Sequence, residues 1–183
     1  MALSRWNKIN SEKITGNPYW SYLLDKFEIP GINYQGEYHY VHTEGSTLLI
    51  PITKDGKLIL VKQFRYLNQD FSWEFPCGGV IKGLDLKENA LKELSEETGY
   101  SATIIEYAGK FNPFSGVTDE MCYVFLAKEL FPKVSESDIY EQTETAEFTI
   151  EEFEKMIEAN EIWDGMSLAA WSLVKEKVLK FLV

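Results

Sequence analysis

Three glutamates within five residues have the types and spacing needed to hold a divalent metal ion. Glu93, Glu96 and Glu97 stand in the segment Lys92-Glu-Leu-Ser-Glu-Glu-Thr-Gly99, at relative positions 0, 3 and 4. On an α-helix, residues three and four apart are neighbours along one flank. Because three like charges at that spacing repel one another, a fold that keeps them is expected to supply cations. Mg²⁺ or Mn²⁺, which prefer carboxylate oxygens, are the natural occupants.

A capped amphipathic helix is predicted to carry these glutamates. Asp85 suits the N-cap, with Glu88 three residues later as in a capping box, and Gly99 suits the C-terminal stop. The stripe expected to face the core consists of Ala90, Leu91, Leu94 and Thr98. At about 100° per residue, the glutamate flank is centred roughly a third of a turn from that stripe. The helix can therefore bury one side and direct its carboxylates into a cleft.

A glycine-rich loop precedes the helix and suggests what the metal would act on. A short extended segment at residues 73–76 leads into Gly78-Gly79. Glycines let the backbone approach a metal or a phosphate closely. A strand, such a loop and a carboxylate-bearing helix together suit phosphoryl or nucleotidyl transfer, in which bound metals neutralise charge and activate a water. The alternative is that the glutamates only solvate an exposed helix face; their place between Gly78-Gly79 and Gly99 favours the metal site.

The rest of the chain reads as strands mixed with two further helices. Strands are predicted at residues 36–45, 46–52, 58–64, 102–111, 121–130 and 145–148, with a hairpin turn at 54–57. Thr149 is predicted to cap a helix from residue 150 to about 160, and a last helix runs from about 166 to 182. This order favours an α/β sandwich in which helices cover a mixed sheet.

Composition and charge exclude several classes of partner. The 183 residues include 29 acidic and 18 basic ones, which give a formal charge of −11. This charge argues against nonspecific binding to nucleic acid or to an anionic membrane. Cys77 and Cys122 lack CxxC spacing, so a reducing compartment is expected. The N-terminus has no apolar core of signal-peptide length and no stretch could span a bilayer, so a cytoplasmic protein is expected.

The segment from residue 78 to 100 resembles the Nudix box. That motif reads Gly, five residues, Glu, seven residues, then Arg-Glu-apolar-any-Glu-Glu-any-Gly-apolar. The residues in register are Gly78, Glu93, Leu94, Glu96, Glu97, Gly99 and Tyr100. The resemblance implies a Nudix-type α/β/α sandwich and a hydrolase whose Mg²⁺ or Mn²⁺ is held by the three glutamates, with the Cys77 carbonyl as a further ligand.

Two positions of the box depart from the family pattern. Leu84 stands where the family has its first glutamate, and Lys92 stands where it has an arginine. In the family, that arginine orients the metal-binding glutamate that follows it. Lysine keeps the positive charge but loses the planar fork of donors. By its place in the box, Lys92 is expected to take the orienting role of that arginine, and Glu97 is expected to be the central catalytic residue.

Flanking segments resemble the ADP-ribose and nucleotide-sugar pyrophosphatases of that family. They are Gln63-Phe64-Arg65-Tyr66, Trp73-Glu74-Phe75-Pro76, and the loop Gly116-Val117-Thr118-Asp119-Glu120, in which Ser115 replaces the usual preceding proline. The stretch through Tyr40 resembles the extension by which those enzymes dimerise. The resemblance implies a homodimer-forming extension at residues 1–45, a Nudix domain at 46–183, and a nucleoside diphosphate-sugar as substrate.

Substrate-binding roles follow from the same resemblance, with alternatives beside them. Arg65 is expected to place its charged fork on substrate phosphate or on Glu74. Glu74 would contact a nucleobase or pair with Arg65, and Trp73 would stack on a base or pack in the core. Gly78 and Gly116 are expected to bring the backbone close to the substrate.

The general base and the function itself have named rivals. Glu144, in the loop before the second helix, is the first choice for the base, followed by Glu141 and by Glu120. One rival function is a Nudix fold that binds a nucleotide sugar without turnover and signals to a partner. Another is hydrolysis of a nucleoside polyphosphate, against which the N-terminal extension and the segment at residues 63–66 argue.

Overall fold

The computed structural model of the chain describes residues 3–133 and 143–181, in ten strands and three helices. The strands are β1 (Asn7–Gly16), β2 (Ser21–Ile29), β3 (Tyr34–His42), β4 (Ser46–Pro51), β5 (Leu58–Arg65), β6 (Asp70–Glu74), β7 (Cys77–Gly79), β8 (Tyr100–Phe111), β9 (Cys122–Pro132) and β10 (Glu144–Phe148). The helices are α1 (Leu86–Thr98), α2 (Ile150–Glu158) and α3 (Gly165–Phe181).

The described strands form three sheets. The first has the order β1-β2-β3, the second β10-β5-β6, and the third β7-β4-β9-β8. The third sheet is mixed, because β4 runs parallel to β9 and antiparallel to β7. Strand β4 also occupies a central place in this sheet, and all six of its residues are buried. The prediction of a mixed sheet covered by helices is confirmed.

Two groups of buried side chains lie on opposite sides of this sheet. One group joins α1 to the sheet and includes Leu49, Leu94 and Phe125. The other joins α2 and α3 to the sheet and includes Phe153 and Trp171. Alternation along the strands explains the division, since successive side chains point to opposite faces. The glutamate-bearing helix therefore has one sheet face to itself.

The predicted helix caps are present. The Asp85 side chain accepts hydrogen bonds from the N–H groups of Lys87 and Glu88, which would otherwise lack partners in the first turn. Gly99 ends α1 with a φ of 72°, in the left-handed region that glycine adopts without strain. Thr149 begins α2 with a complete capping box to Glu152. These caps fix both ends of α1 and the start of α2.

The N-terminal sheet β1-β2-β3 was only partly predicted. Strand β3 matches the predicted strand at residues 36–45, but β1 and β2 were not predicted. Every residue of β1 is exposed. A strand that buries neither face does not need the alternation of apolar and polar residues by which a half-buried strand is recognised in a sequence. The sheet joins the rest of the chain where the Val41 N–H donates to the Val117 carbonyl at 2.8 Å. A domain boundary at residue 45 stays a prediction.

Other details of the chain also differ from the sequence-based picture. Glu144 was expected in a loop, but it begins strand β10, where it pairs with Lys62 of β5. Of the extended segment predicted at residues 73–76, only Trp73 and Glu74 are in a strand, which starts at Asp70. Across the ranges 3–133 and 143–181, no helix has both the length and the apolar character needed to cross a membrane.

Candidate functional site

Helix α1 holds its glutamates against the glycine-containing strand β7. Glu97 is only 9% exposed, and its Oε2 accepts a hydrogen bond of 3.1 Å from the Cys77 N–H. Strand β7 lies at the edge of its sheet, beside β4, and this leaves backbone groups available for such a side-chain contact. The carboxylate of Glu97 thus fixes the distance between the end of α1 and the Cys77 backbone.

Gly78 makes the close approach of Glu93 possible. A Cβ atom placed on Gly78 would lie 2.8 Å from the Cγ of Glu93 and would overlap its carboxylate. A Cβ on the adjacent Gly79 would have no heavy atom within 4 Å. A side chain at residue 78 would therefore displace the Glu93 carboxylate, whereas one at residue 79 would not. The conflict at Gly78 is with the Glu93 side chain and does not involve an unusual backbone angle.

Lys92 neutralises part of the acidic row. Its ammonium group donates a hydrogen bond to Glu96 and lies 3.6 Å from Oε1 of Glu93. Burial lowers the pKa of Lys92, but the hydrogen bond to Glu96 and the charges of both glutamates outweigh this and raise it. The lysine is consequently positively charged at neutral pH. One ammonium serves two carboxylates here.

The donor chemistry of this site fits a hard divalent cation. Glu93, Glu96 and Glu97 supply only carboxylate oxygens; the side chains of Glu93 and Glu97 lie against β7, and that of Glu96 lies against Lys92. Such oxygen donors suit Mg²⁺ and Mn²⁺ better than softer metals. Among the residues that the structure describes, no three acidic, histidine or cysteine side chains converge on a single point. Glu96 is directed to Lys92 and Glu97 to the Cys77 N–H, so binding a cation there requires these side chains to reorient.

Arg65 and Glu74 form a two-pronged ion pair across strands β5 and β6. The Nε of Arg65 donates to one carboxylate oxygen of Glu74 at 2.8 Å, and a terminal nitrogen donates to the other. The bond to Glu74 raises the pKa of Arg65. Burial raises the pKa of Glu74, which is 1% exposed, and the nearby charge of Asp164 adds to that effect. Of the two roles considered for the Arg65 fork, the pairing with Glu74 is the one observed.

The aromatic side chains near this pair belong partly to the core. Trp73 packs edge-on against Phe148 with ring centroids 4.9 Å apart and contacts the core beneath α2 and α3. Phe64 remains 46% exposed, and its ring lies 5.3 Å from that of Phe71. Core packing therefore accounts for much of the Trp73 surface. Stacking of either ring on a base stays a prediction.

The loop after β8 meets the N-terminal sheet. The hydroxyl group of Tyr38 donates to the Gly116 carbonyl at 3.4 Å, and Gly116 itself is exposed. Glu120 accepts a 2.8 Å hydrogen bond from the Ser46 hydroxyl group. Because Ser46 is paired with Gly79, this contact places Glu120 beside the same end of the sheet as the glycine pair. Gly116 lies four residues before Glu120 in the loop.

Glu144, the first choice for the base, lies away from the helix that carries the acids. Its neighbours Thr143 and Thr145 donate from their hydroxyl groups to the Glu97 carbonyl at 3.2 and 3.3 Å. Because side chains alternate along a strand, Glu144 points to the opposite face and is exposed. Glu141 lies outside the described residues.

Several contacts of the site were not predicted from the sequence. The two threonine hydroxyl groups secure the C-terminal end of α1, and His42 pairs with Asp119 at 2.8 Å. Each contact joins residues 46 to 77 positions apart. Neither local periodicity nor motif spacing carries information about such pairs. The presence of Thr118 and Asp119 in the loop after β8, and of Thr143 and Thr145 near β10, is the one local signal, because such side chains often bond to backbone groups.

Comparison with known proteins places the chain in a family. A model of the NUDIX domain matches residues 42–173, so the chain belongs to the Nudix family. It is a hydrolase that acts on pyrophosphate bonds, as predicted. It is 37% identical over 128 residues to the ADP-ribose pyrophosphatase of Bacillus subtilis, with 69% of each chain covered.

Two further similarities extend over more of the chain. The methanol dehydrogenase activator of Bacillus methanolicus is 29% identical over 164 residues, which cover 88% of both proteins. A crystal structure of an ADP compounds hydrolase superposes with a TM-score of 0.86 over the whole of both chains, at 19% identity. At that identity, the superposition shows the shared fold, including the part outside the NUDIX match.

Proposed function

We propose that this protein hydrolyses the diphosphate bond of a nucleoside diphosphate linked to a sugar, with Mg²⁺ or Mn²⁺, to a nucleoside monophosphate and a sugar phosphate. One observation carries the proposal: on the acidic flank of α1, Glu97 is bonded to the Cys77 N–H and Glu93 occupies the space that a side chain at residue 78 would take. The similarity to an ADP-ribose pyrophosphatase over 69% of each chain supports this substrate class.

The roles of the side chains follow from their positions. Glu93, Glu96 and Glu97, with the Cys77 carbonyl, would hold the cation, which when bound neutralises diphosphate charge and lowers the pKa of a water. Lys92 limits the repulsion among the acids before substrate enters. A water oxygen adds to one phosphorus, the bridging P–O bond breaks, and the water proton passes to a carboxylate. Arg65, fixed by Glu74, presents its exposed side to a phosphate.

The base assignment is a choice between two described carboxylates. Glu144 is retained because the resemblance points to it, although its strand must turn for the side chain to approach α1. Glu120 is supported by its contact with Ser46, which is paired with Gly79. Replacing the true base with glutamine should remove the acidic limb of the pH profile of kcat. Replacing the other one should leave that limb in place.

A homodimer is part of the proposal, with the N-terminal sheet as the contact surface. Apolar side chains project from it into solvent, including Ile9 at 49% and Ile14 at 47% exposed. When exposed apolar side chains are gathered on one sheet, that sheet is usually a surface at which another molecule binds. A second copy would cover the same residues on each partner, as two-fold symmetry requires.

The decisive experiment is a substrate screen with and without Mg²⁺. Purified protein should turn over ADP-ribose, ADP-glucose, GDP-mannose or a related diphosphate only when the cation is present. Glu97→Gln should lower kcat by about 100-fold or more, since loss of even an outer partner of a metal ligand costs about 10- to 100-fold. Glu88→Gln, exposed on the same helix, is the matched control. Absence of turnover across the whole panel would refute the proposal.

A second candidate is binding without turnover, as in a sensor that acts on a partner protein. Leu84 and Lys92, which replace a glutamate and an arginine of the family pattern, favour it. So does the similarity to a methanol dehydrogenase activator over 88% of both chains. Calorimetric titration distinguishes the two candidates: a ligand that binds without Mg²⁺ and is never hydrolysed selects the sensor.

A further inference from the structure

Asn89 is a fully buried polar side chain on helix α1 that the proposed chemistry does not use. It is 0% exposed, and burying an amide is costly unless its hydrogen bonds are satisfied. Its carbonyl oxygen accepts from the Ile81 N–H at 3.0 Å. Its amide nitrogen donates to the Thr47 hydroxyl group at 2.9 Å and to the Gly79 carbonyl at 3.2 Å. Both ends of the amide are therefore committed to other segments.

The location of Asn89 along the helix connects it with the glutamates. Asn89, Glu93 and Glu97 are four residues apart, so they form one row along α1. These three side chains contact successive residues of β7 and of the loop after it. Glu97 contacts Cys77, Glu93 contacts Gly78, and Asn89 contacts Gly79 and Ile81. The row and the loop run past each other in opposite directions. Asn89 is the uncharged first member of that row.

We propose that Asn89 is a positioning residue that locks the loop from Gly78 to Ile81 in register against helix α1, so that Gly78 stays over the carboxylate of Glu93. The inference rests on the proposed function only for the statement that Glu93 holds the cation. An amide is required because the loop presents one donor, the Ile81 N–H, and one acceptor, the Gly79 carbonyl, to the same side chain. A carboxylate would repel the Gly79 carbonyl and would add a further negative charge to the row.

Thr47 gives the lock its fixed reference. It is fully buried in strand β4, and it is paired with Gly78 of β7. The bond from Asn89 to Thr47 therefore ties the helix to the sheet at the level of the glycine that Glu93 approaches. Without the amide, α1 keeps its apolar contacts with the sheet and β7 keeps its pairing with β4, but no Asn89 side chain ties the helix to that pair. The helix can then shift along β7, and the Glu93 carboxylate moves away from Gly78.

The test uses two variants and one matched control on the full chain. Asn89→Ala removes all three bonds, and Thr47→Val removes one of them while keeping the buried volume close to that of threonine. Ala90→Gly is the control, because it weakens the same buried part of the helix through glycine's low propensity and does not touch the loop. For each, the exchange rate of the Ile81 amide is measured by NMR and Mn²⁺ affinity by electron paramagnetic resonance, beside kcat and KM.

Asn89→Ala should speed exchange at Ile81 by about tenfold, since the amide loses its buried partner. Mn²⁺ affinity and kcat should each fall by about tenfold, with little change in KM, as for other partners that orient a metal ligand. Thr47→Val should move exchange and Mn²⁺ affinity in the same direction by about threefold, because one bond of three is lost. Ala90→Gly should lower Tm and leave the Ile81 amide and Mn²⁺ affinity unchanged.

The outcomes separate this inference from the proposed function. If Asn89→Ala changes Tm alone, like Ala90→Gly, then Asn89 is merely structural and the inference is wrong. If Asn89→Ala does not fold, then Thr47→Val is used in its place, and an unchanged exchange rate of the Ile81 amide in that variant also shows that the inference is wrong. Exchange and Mn²⁺ binding need no turnover, so they remain informative even if no diphosphate is hydrolysed by the unaltered protein, a result that would overturn only the proposed function.

Discussion

The acidic helix with its loop and the N-terminal sheet are stabilised in contrasting ways. In the first region, buried side chains determine the geometry: Glu97 holds the Cys77 N–H of β7, and Asn89 holds the Ile81 N–H of the loop that follows it. In the second, backbone pairing does so, since β1 pairs with β2 along its length while all ten of its residues remain exposed. A region fixed by side chains can hold chemistry in one arrangement. A region fixed by its backbone leaves its side chains available for another surface.

The largest expected effect comes from breaking the packing in the first region. Gly78→Ala forces a Cβ into the Glu93 side chain, so the carboxylate or the loop must move. We expect kcat to fall by about 100-fold, since displacing a metal ligand should cost at least as much as losing a partner that orients it. Steady-state kinetics at saturating Mg²⁺ measures the fall.

The neighbouring glycine provides the control for that substitution. A Cβ on Gly79 meets no heavy atom within 4 Å, and its φ is not among the positive ones. Gly79→Ala should therefore change kcat by less than about threefold and slightly favour folding by restricting the unfolded chain. Equal losses in the two variants would show that loop flexibility, and not contact with Glu93, explains the need for glycine.

A second, smaller effect is expected at the Arg65–Glu74 pair. Arg65→Ala leaves the buried carboxylate of Glu74 without its fork of donors. The free energy of unfolding at neutral pH should fall by about 2 kcal/mol, below the range for fully buried pairs because Arg65 is partly exposed. KM should rise as well, if the exposed side of Arg65 contacts a phosphate. Chemical denaturation and initial rates measure the two changes separately.

The pH dependence of that variant has a definite sign. Burial already holds the pKa of Glu74 above its ordinary value, and removing Arg65 takes away a contribution that lowers it. A carboxyl group whose pKa is higher in the folded state stabilises that state when protonated. The stability deficit of Arg65→Ala should therefore be small below the unfolded pKa of glutamate and grow as pH rises through the folded pKa. A second substitution, Glu74→Gln, should abolish this dependence.

The contrast between the two regions also explains what the sequence could predict. The caps at Asp85 and Gly99, and the row of glutamates between them, depend on contacts within a few residues. The pairing of Arg65 with Glu74 was anticipated as one of two roles from the family resemblance, whereas the pairing of β5 with β6 that brings the two residues together was not predicted. Local spacing was therefore sufficient for the acidic helix, and the Arg65–Glu74 pair depended on the resemblance.

Long-range and two-sided features escaped prediction. Strands β1 and β2 were not recognised. All ten residues of β1 are exposed, and a strand that buries neither face has no hydrophobic period; β2 is half-buried along nearly all of its length. Asn89 was not singled out, because a single polar residue in a helix has no distinctive spacing and its partner Thr47 is 42 positions away. Glu144 was assigned to a loop because the start of a strand is the least certain part of such a prediction.

A smaller effect is expected from restoring the family pattern at Lys92. The lysine donates to Glu96 and lies 3.6 Å from Glu93. An arginine fork can serve both carboxylates at once. Lys92→Arg should therefore raise kcat by up to about threefold, and Lys92→Gln should lower it by about tenfold. If Lys92→Arg instead lowers kcat, then the ammonium group of lysine positions Glu93 and Glu96 better in this chain than an arginine does. Leu84 is then the next position to test.

The smallest effect on turnover is expected from the N-terminal sheet, where the proposed dimer is tested. Ile9→Glu and Ile14→Glu each place a charge on an exposed apolar position of β1. In a two-fold symmetric contact the new carboxylate faces the same interface of the partner, so desolvation and repulsion act on both copies. Light scattering should show a mass near twice 21.1 kDa for the unaltered chain and a mass near one chain for the variants.

Ile104→Glu on β8 is the matched control, because Ile104 is similarly exposed at 43% but lies outside the N-terminal sheet. It should leave the mass unchanged. Turnover should change by less than about twofold in all three variants, since replacements on the surface away from a site rarely disturb it. A monomeric unaltered chain would refute the dimer. If turnover is lost together with the dimer, then the N-terminal sheet also contributes to the site on α1. The two regions would then depend on each other for activity.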